Sequence, residues 1–112
     1  MHEVVEYTHG RRAPFSEWLN GLDRHVKARV LTRIDRIRRG NFGDTRSVGD
    51  GVFELRLDFG PGYRVYYGRQ GQTAVILLGG GDKKSQSRDI DQAKQHWNEL
   101  IRRSASHGNE TV

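Results

Sequence analysis

The chain has no cysteine, which excludes disulfides, thiolate nucleophiles and thiolate metal sites together and agrees with a reducing compartment. No apolar run approaches the ~20 residues that span a bilayer. Met1-His2-Glu3-Val4 opens directly into a strand-like segment, without the basic and apolar regions of a signal peptide. A cytoplasmic protein with no membrane partner is expected. Acids are in the minority, 14 against 19 Lys and Arg, for a net charge of +5. Such a balance suits a polyanionic partner, either nucleic acid or an acidic protein segment.

Metal chemistry also lacks a pattern. His2, His9, His25, His96 and His107 are scattered without ligand spacing, so neither metal nor cofactor is expected. His96 alone is kept as a candidate acid or base. Gly79-Gly80-Gly81 followed by Asp82-Lys83-Lys84 does not match a phosphate loop, nor is Gly60-Pro61-Gly62 a dinucleotide fingerprint. What remains at the first of these is an anion-friendly corner at a strand end, before a helix start. Internal repeats and linkers are missing as well. Apolar residues make up only 34% of the 112, but they cluster in periodic segments. One domain over 1–103 is therefore expected, with 104–112 as a disordered polar tail.

Among what is present, Glu54 to Tyr67 organises the rest. It reads as two strands joined at Gly60-Pro61-Gly62, where glycines supply positive φ and proline presets a negative one. A three-residue loop would set Leu57 opposite Val65 and Leu55 opposite Tyr67 on one apolar face. Asp58 would then face Arg64, and Arg56 would face Tyr66, on the other. Two arginines on a rigid sheet suit an oxyanion, because guanidinium stays charged and donates in pairs. An Asp58–Arg64 pair on a solvated face fits the same residues.

Glu3 to Tyr7 has strand character. Phe15, Trp18, Leu19 and Leu22 form one stripe of a short helix that starts at Pro14. A second helix, Arg24 to Arg39, carries Val26, Val30, Ile34 and Ile37 on one face with Leu31 beside them. Arg29, Arg33 and Arg36 line its opposite face, and Arg38 and Arg39 sit at its C-terminal end, where cations oppose the helix dipole. That stripe serves either solvation or the tracking of phosphates, which gives affinity without sequence information. A brief strand is expected around Arg46-Ser47-Val48. Thr73 to Leu78 should be an interior strand, leading to a last helix, roughly Arg88 to Arg103, capped by Ser85 or Ser87. Its apolar stripe is Ile90, Ala93, Trp97, Leu100 and Ile101.

Catalysis, if present, falls to Arg, Lys, Asp and Glu on the sheet's polar face. Without a metal or a nucleophilic side chain, such a set suits cleavage of RNA by its own 2′-hydroxyl, where positioning and cations do the work.

The chain resembles the RelE/ParE toxin superfamily, in particular its HigB-like addiction module killer branch, from Val4 to about Ile101. The resemblance rests on Pro14-Phe15 with Trp18-Leu19, and on Arg33-Ile34 followed by Gly40-Asn41-Phe42-Gly43-Asp44. It rests further on Glu54-Leu55-Arg56 and on Gly60-Pro61-Gly62-Tyr63-Arg64-Val65-Tyr66. Leu78, Gly80-Gly81-Asp82-Lys83, Gln86, Asp89-Ile90 and Ala93 complete it. It implies an α+β fold, with two N-terminal helices and a C-terminal helix packed on a small, twisted, mainly antiparallel sheet. It also implies a type II toxin that cleaves mRNA on the ribosome, neutralised by a helix-turn-helix antitoxin through which alone it would meet DNA.

Carried over by position, Arg64 would stabilise the transition state, with Arg56 and Lys83 as further cations and Lys84 beside them. Arg29, Arg33, Arg36, Arg38 and Arg39 would meet RNA or ribosome. Two departures leave the general acid and base open among Lys84, Asp89 and Glu54. Glu54 stands where the best-known enzymes carry lysine, and Arg88-Asp89-Ile90 stands where they place a tyrosine or histidine. A ParE-like gyrase poison and a catalytically degenerate antitoxin-binding member are the alternatives on the same fold.

Overall fold

The computed structural model describes residues 1–110, with side chains described to Ala105. Its elements run β1 (Glu3–Glu6), α1 (Pro14–Asn20), α2 (Arg24–Arg38), β2 (Thr45–Gly49), β3 (Val52–Arg56), β4 (Arg64–Gln70), β5 (Ala74–Gly81) and α3 (Gln86–Glu110). The strands form one five-stranded sheet in the order β1-β5-β4-β3-β2. β1 pairs parallel with β5, and every other pairing is antiparallel. The expected α+β architecture is thus present.

Side-chain alternation along the strands gives the sheet two dry faces. Leu55, Leu57, Val65, Tyr67, Val75 and Leu77 point to α1 and α2, which supply Phe15, Leu19, Val30, Ile34 and Ile37. Val52, Tyr66, Ile76 and Leu78 point the other way, onto Ala93 and Trp97 of α3. The last helix therefore covers the face that the first two leave open. Val30 and Ile37 are fully buried, each contributing about 1.5–3 kcal/mol. Leu31 and Ile101, expected near or within apolar stripes, are instead 43% and 46% exposed. Each lies just off the arc that its helix presents to the sheet.

Local chemistry explains most boundaries. Pro14 opens α1, Asp23 caps α2 by accepting the His25 N–H at 3.3 Å, and Gly40 follows α2 with φ +91°. Two strands differ from expectation. β2 is longer than its expected three residues, because Thr45 and Gly49 also pair with β3. β5 runs on through Gly79-Gly80-Gly81, which pair with Tyr66, Val65 and Arg64. The glycine run, expected as a corner beyond a strand ending at Leu78, is part of the strand. A Cβ on Gly80 would lie 2.3 Å from the Trp18 ring, and one on Gly81 would collide with the Asp89 carboxylate.

The hairpin register also departs from expectation. Arg56 faces Arg64 and Leu55 faces Val65, and the Leu57 N–H donates to the Tyr63 carbonyl at 2.9 Å. The loop is accordingly 58–62 rather than 60–62, and Asp58 does not face Arg64. Packing favours the longer loop: Phe59 lies beneath Arg29 and Tyr63 against Trp18. A two-residue slip preserves parity, so each side chain keeps its expected face.

α3 begins at Gln86, directly after Ser85, and its backbone continues past Arg103 to Glu110. Of the tail expected over 104–112, Thr111 and Val112 lie outside the described residues. No helix among the described residues is long and apolar enough to cross a membrane.

Candidate active site

β3, β4 and the end of β5 bring three of the four expected cationic groups together at one end of the sheet. Arg56 and Arg64 are Cα partners, and Arg64 has Gly81 as its partner on the other side. The Lys83 N–H reaches back to the Pro61 carbonyl at 3.3 Å, fastening the turn after β5 to the hairpin loop. Lys83 and Lys84 are both exposed, Lys84 being the next residue of that turn.

The two arginines sit in different surroundings. Arg56 is exposed, with Nε 3.3 Å from Asp44 Oδ2. Arg64 is only 8% exposed, where alternation alone suggested a surface residue. Its Nη1 donates to the Gly62 carbonyl at 2.6 Å. Its buried Nε lies 3.5 Å from Glu54 Oε2 and has no hydrogen-bond partner. The contact is one of charge.

Glu54 is the centre of this arrangement and has no exposed surface. Its Oε1 accepts from Arg46 Nε at 2.9 Å, while Oε2 accepts from Gln86 Nε2 at 2.9 Å and the Tyr66 hydroxyl at 3.1 Å. Burial pushes the carboxyl up, but the hydrogen bonds from Gln86, Arg46 and Tyr66 and the charge of Arg46 outweigh it. Glu54 is therefore held below the ordinary carboxylate range. Tyr66 is raised, first by burial and then by the Glu54 charge. A carboxylate saturated with donors and sealed from water is a poor proton acceptor, which removes Glu54 from the candidate acids and bases.

The other candidates lie nearer the surface. Asp89, in the first turn of α3, accepts from Ser85 Oγ at 2.5 Å and sits beneath Gly81. His96 lies elsewhere. It stacks on Tyr7 at 4.7 Å inside a cleft of about 740 Å³ between α1 and α3 that Asp89 and Gly80 also line. Burial, first, lowers its pKa.

The five expected RNA-binding arginines, four on α2 and Arg39 at its C-cap, separate into two groups. Arg29 lies over the Phe59 ring, 3.8 Å from its centroid, and Arg33 Nη1 is 3.8 Å from Asp58 Oδ1. With Thr32 and Arg36 they line a groove of about 300 Å³ against the hairpin loop. Arg38 and Arg39 are at the other end of the sheet, where the His2 N–H donates to the Arg38 carbonyl and Arg39 pairs with Asp35 at 3.0 Å. Of the five, Arg29, Arg33 and Arg36 line the groove against the 58–62 loop that leads to Arg64.

The residues that escaped sequence reasoning are Arg46 and Gln86, which complete the Glu54 network. Arg46 was legible in principle, since a strand before β3 could set it beside Glu54. Gln86 reaches Glu54 across 32 positions of the chain, and no local pattern announces that.

The family model described as phage derived protein Gp49-like (DUF891) matches residues 17–98. A protein of Haemophilus influenzae, described only as uncharacterized, is 53% identical over 87 residues, covering 77% of this chain and 88% of its own length. No solved structure matches the chain.

Proposed function

Because the chain belongs to the Gp49-like family of phage-derived proteins, a toxin-like family of phage and toxin–antitoxin systems, we propose that it is a type II toxin of the HigB-like branch. It acts in the cytoplasm as a metal-independent endoribonuclease on mRNA at the ribosome and is silenced by a cognate helix-turn-helix antitoxin. One observation carries the reading: Arg56 and Arg64 face each other on β3 and β4, with Lys83 brought beside them by its bond to the hairpin loop.

The chemistry follows from those groups. The substrate's 2′-hydroxyl attacks the adjacent phosphorus in line, giving a 2′,3′-cyclic phosphate and a 5′-hydroxyl. Arg56 and Arg64 stabilise the charge that grows on the phosphorane, and each such donor typically contributes on the order of 10²–10³ in rate. Lys83 and Lys84 add positive charge at the rim. Arg29, Arg33 and Arg36 hold phosphates farther along the strand. Asp89 and Lys84 are the groups left to move the protons.

A second reading, a catalytically degenerate member that only binds its antitoxin, draws on the burial of Arg64 against Glu54. Inducible expression in bacteria separates the readings. New transcript 5′ ends inside translated codons support the nuclease, DNA breaks point to a gyrase poison, and neither supports the degenerate member.

A further inference from the structure

Glu54 is the one acidic side chain with no exposed surface among the described residues, and nothing in the cleavage chemistry uses it. Its two oxygens are shared among three elements. Arg46 on β2 takes Oε1, while Tyr66 on β4 and Gln86 at the start of α3 take Oε2. The same Oε2 is the anion 3.5 Å from Arg64 Nε.

Arg64 would not hold its position unaided. A guanidinium on a long side chain has several rotamers of comparable energy, and burying its charge is unfavourable unless a counter-charge meets it. Two contacts restrict it: the Gly62 carbonyl on Nη1 and the Glu54 carboxylate beside Nε. The first fixes one corner of the planar fork, and the second fixes its edge. Nη2 makes no hydrogen bond among the described residues, and it belongs to the guanidinium at the end of the sheet shared with Arg56 and Lys83. Because Arg46, Tyr66 and Gln86 already lock the carboxylate, Glu54 supplies a stationary charge.

We propose that Glu54 is a positioning residue: the ion pair with its buried carboxylate holds the Arg64 guanidinium in the orientation that leaves Nη2 for a phosphate oxygen. The inference rests on the ribonuclease reading for its consequence but not for its geometry.

The test follows the Arg64 Nε–H resonance by ¹⁵N–¹H NMR of the full chain, assigned by its disappearance in Arg64→Lys. In the parent the buried Nε–H exchanges slowly. In Glu54→Gln, which keeps the shape but loses the charge, exchange should be at least about tenfold faster, because the side chain gains freedom to reach water. Glu54→Asp, which keeps the charge but draws it back by a methylene, should fall between the two, and it carries the comparison if Glu54→Gln does not fold. Ribosome-dependent cleavage should drop about tenfold to a hundredfold in kcat with KM little changed, the cost of a misplaced catalytic group. An Arg64 Nε–H resonance with the same shift and exchange rate in parent and folded variant would overturn the role of Glu54. Intact mRNA with the parent protein would overturn the ribonuclease reading alone, leaving the resonance to decide the positioning.

Discussion

Trp18 lies flat against Gly80, so close that a Cβ there would be 2.3 Å from its ring. The contact joins α1 to the end of β5, two residues before the turn that carries Lys83. On the other face, Trp97 covers Gly68 in the same way, at 2.4 Å. Both glycines are places where a helix approaches the sheet backbone with no side chain between. Gly80→Ala and Gly68→Ala should each lower stability by about 1–3 kcal/mol or more, since neither ring can withdraw without opening its layer. Urea titration of the two variants, compared with Gly71→Ala, checks this. Gly71 has φ +63° but open space around it, so its alanine variant reports backbone strain without overpacking.

Arg64→Ala should relieve growth arrest in cells that produce the protein, as expected for loss of a transition-state donor. The structure adds a cost. Arg64 is buried and its charge faces Glu54, so truncation should also lower stability, by about 1–3 kcal/mol. Arg46 still compensates the carboxylate, which keeps the loss below that of a fully orphaned charge. Growth must therefore be compared at equal soluble abundance, measured by immunoblot. Persistent toxicity at equal abundance would sink the assignment.

The α2 arginines give a salt-dependent prediction. Neutralised phosphates release counterions, so affinity should fall steeply with ionic strength. An Arg29/Arg33/Arg36 triple alanine variant should bind ribosomes more weakly and with a shallower salt slope. Arg38 and Arg39, at the far end of the sheet, should matter less, and a double alanine variant there is the control. Equal salt slopes for parent and triple variant would assign the groove to packing, since Arg29 also covers Phe59.

Acid should weaken the fold partly through Glu54. Its folded pKa is lowered below the unfolded value, so its contribution is fully present above the ordinary carboxylate range and lost as pH falls through the folded value. Glu54→Gln should be less stable than the parent at pH 7, and the gap should narrow toward pH 3. Equal acid sensitivity of the two proteins in urea titrations would place the acid response in other carboxylates.

Much of this arrangement was legible in the sequence, for a reason specific to strands. Alternation put Leu55, Leu57, Val65 and Tyr67 on one face and Arg56, Arg64 and Tyr66 on the other, and a slip of two residues cannot change that. Register was not legible, because Gly60 and Gly62 permit either loop length. Phe59 under Arg29 and Tyr63 against Trp18 decide between them, and those are contacts between distant segments. The glycine run read as a corner beyond the strand for the same reason: only Trp18 and Asp89 show why β5 needs backbone without side chains there. The buried place of Arg64 beside Glu54, which Gln86 and Arg46 hold from α3 and β2, is a contact between distant segments that no periodicity encodes.

The cleavage mechanism makes the sharpest prediction. The sequence has no cysteine, no histidine pair at ligand spacing and no run of acids patterned for a Mg²⁺ site. The groups assembled at the end of the sheet are cations, suited to stabilising charge on phosphorus rather than to activating water. On the proposed ribonuclease reading the nucleophile is the substrate's own 2′-hydroxyl, and the products should carry a 2′,3′-cyclic phosphate and a 5′-hydroxyl. Cleavage should persist in EDTA when ribosomes are stabilised by a polyamine instead of Mg²⁺. An mRNA with a single 2′-deoxy or 2′-O-methyl nucleotide immediately 5′ of the cut should resist cleavage there, while an unmodified site elsewhere on the same molecule is cut normally. Because the modified substrate still binds, it should also compete with the parent mRNA for the enzyme. A normal rate at the modified site would exclude the 2′-hydroxyl as nucleophile, and Asp89, beneath Gly81 at the start of α3, would then be the first group to examine as the base for an attacking water.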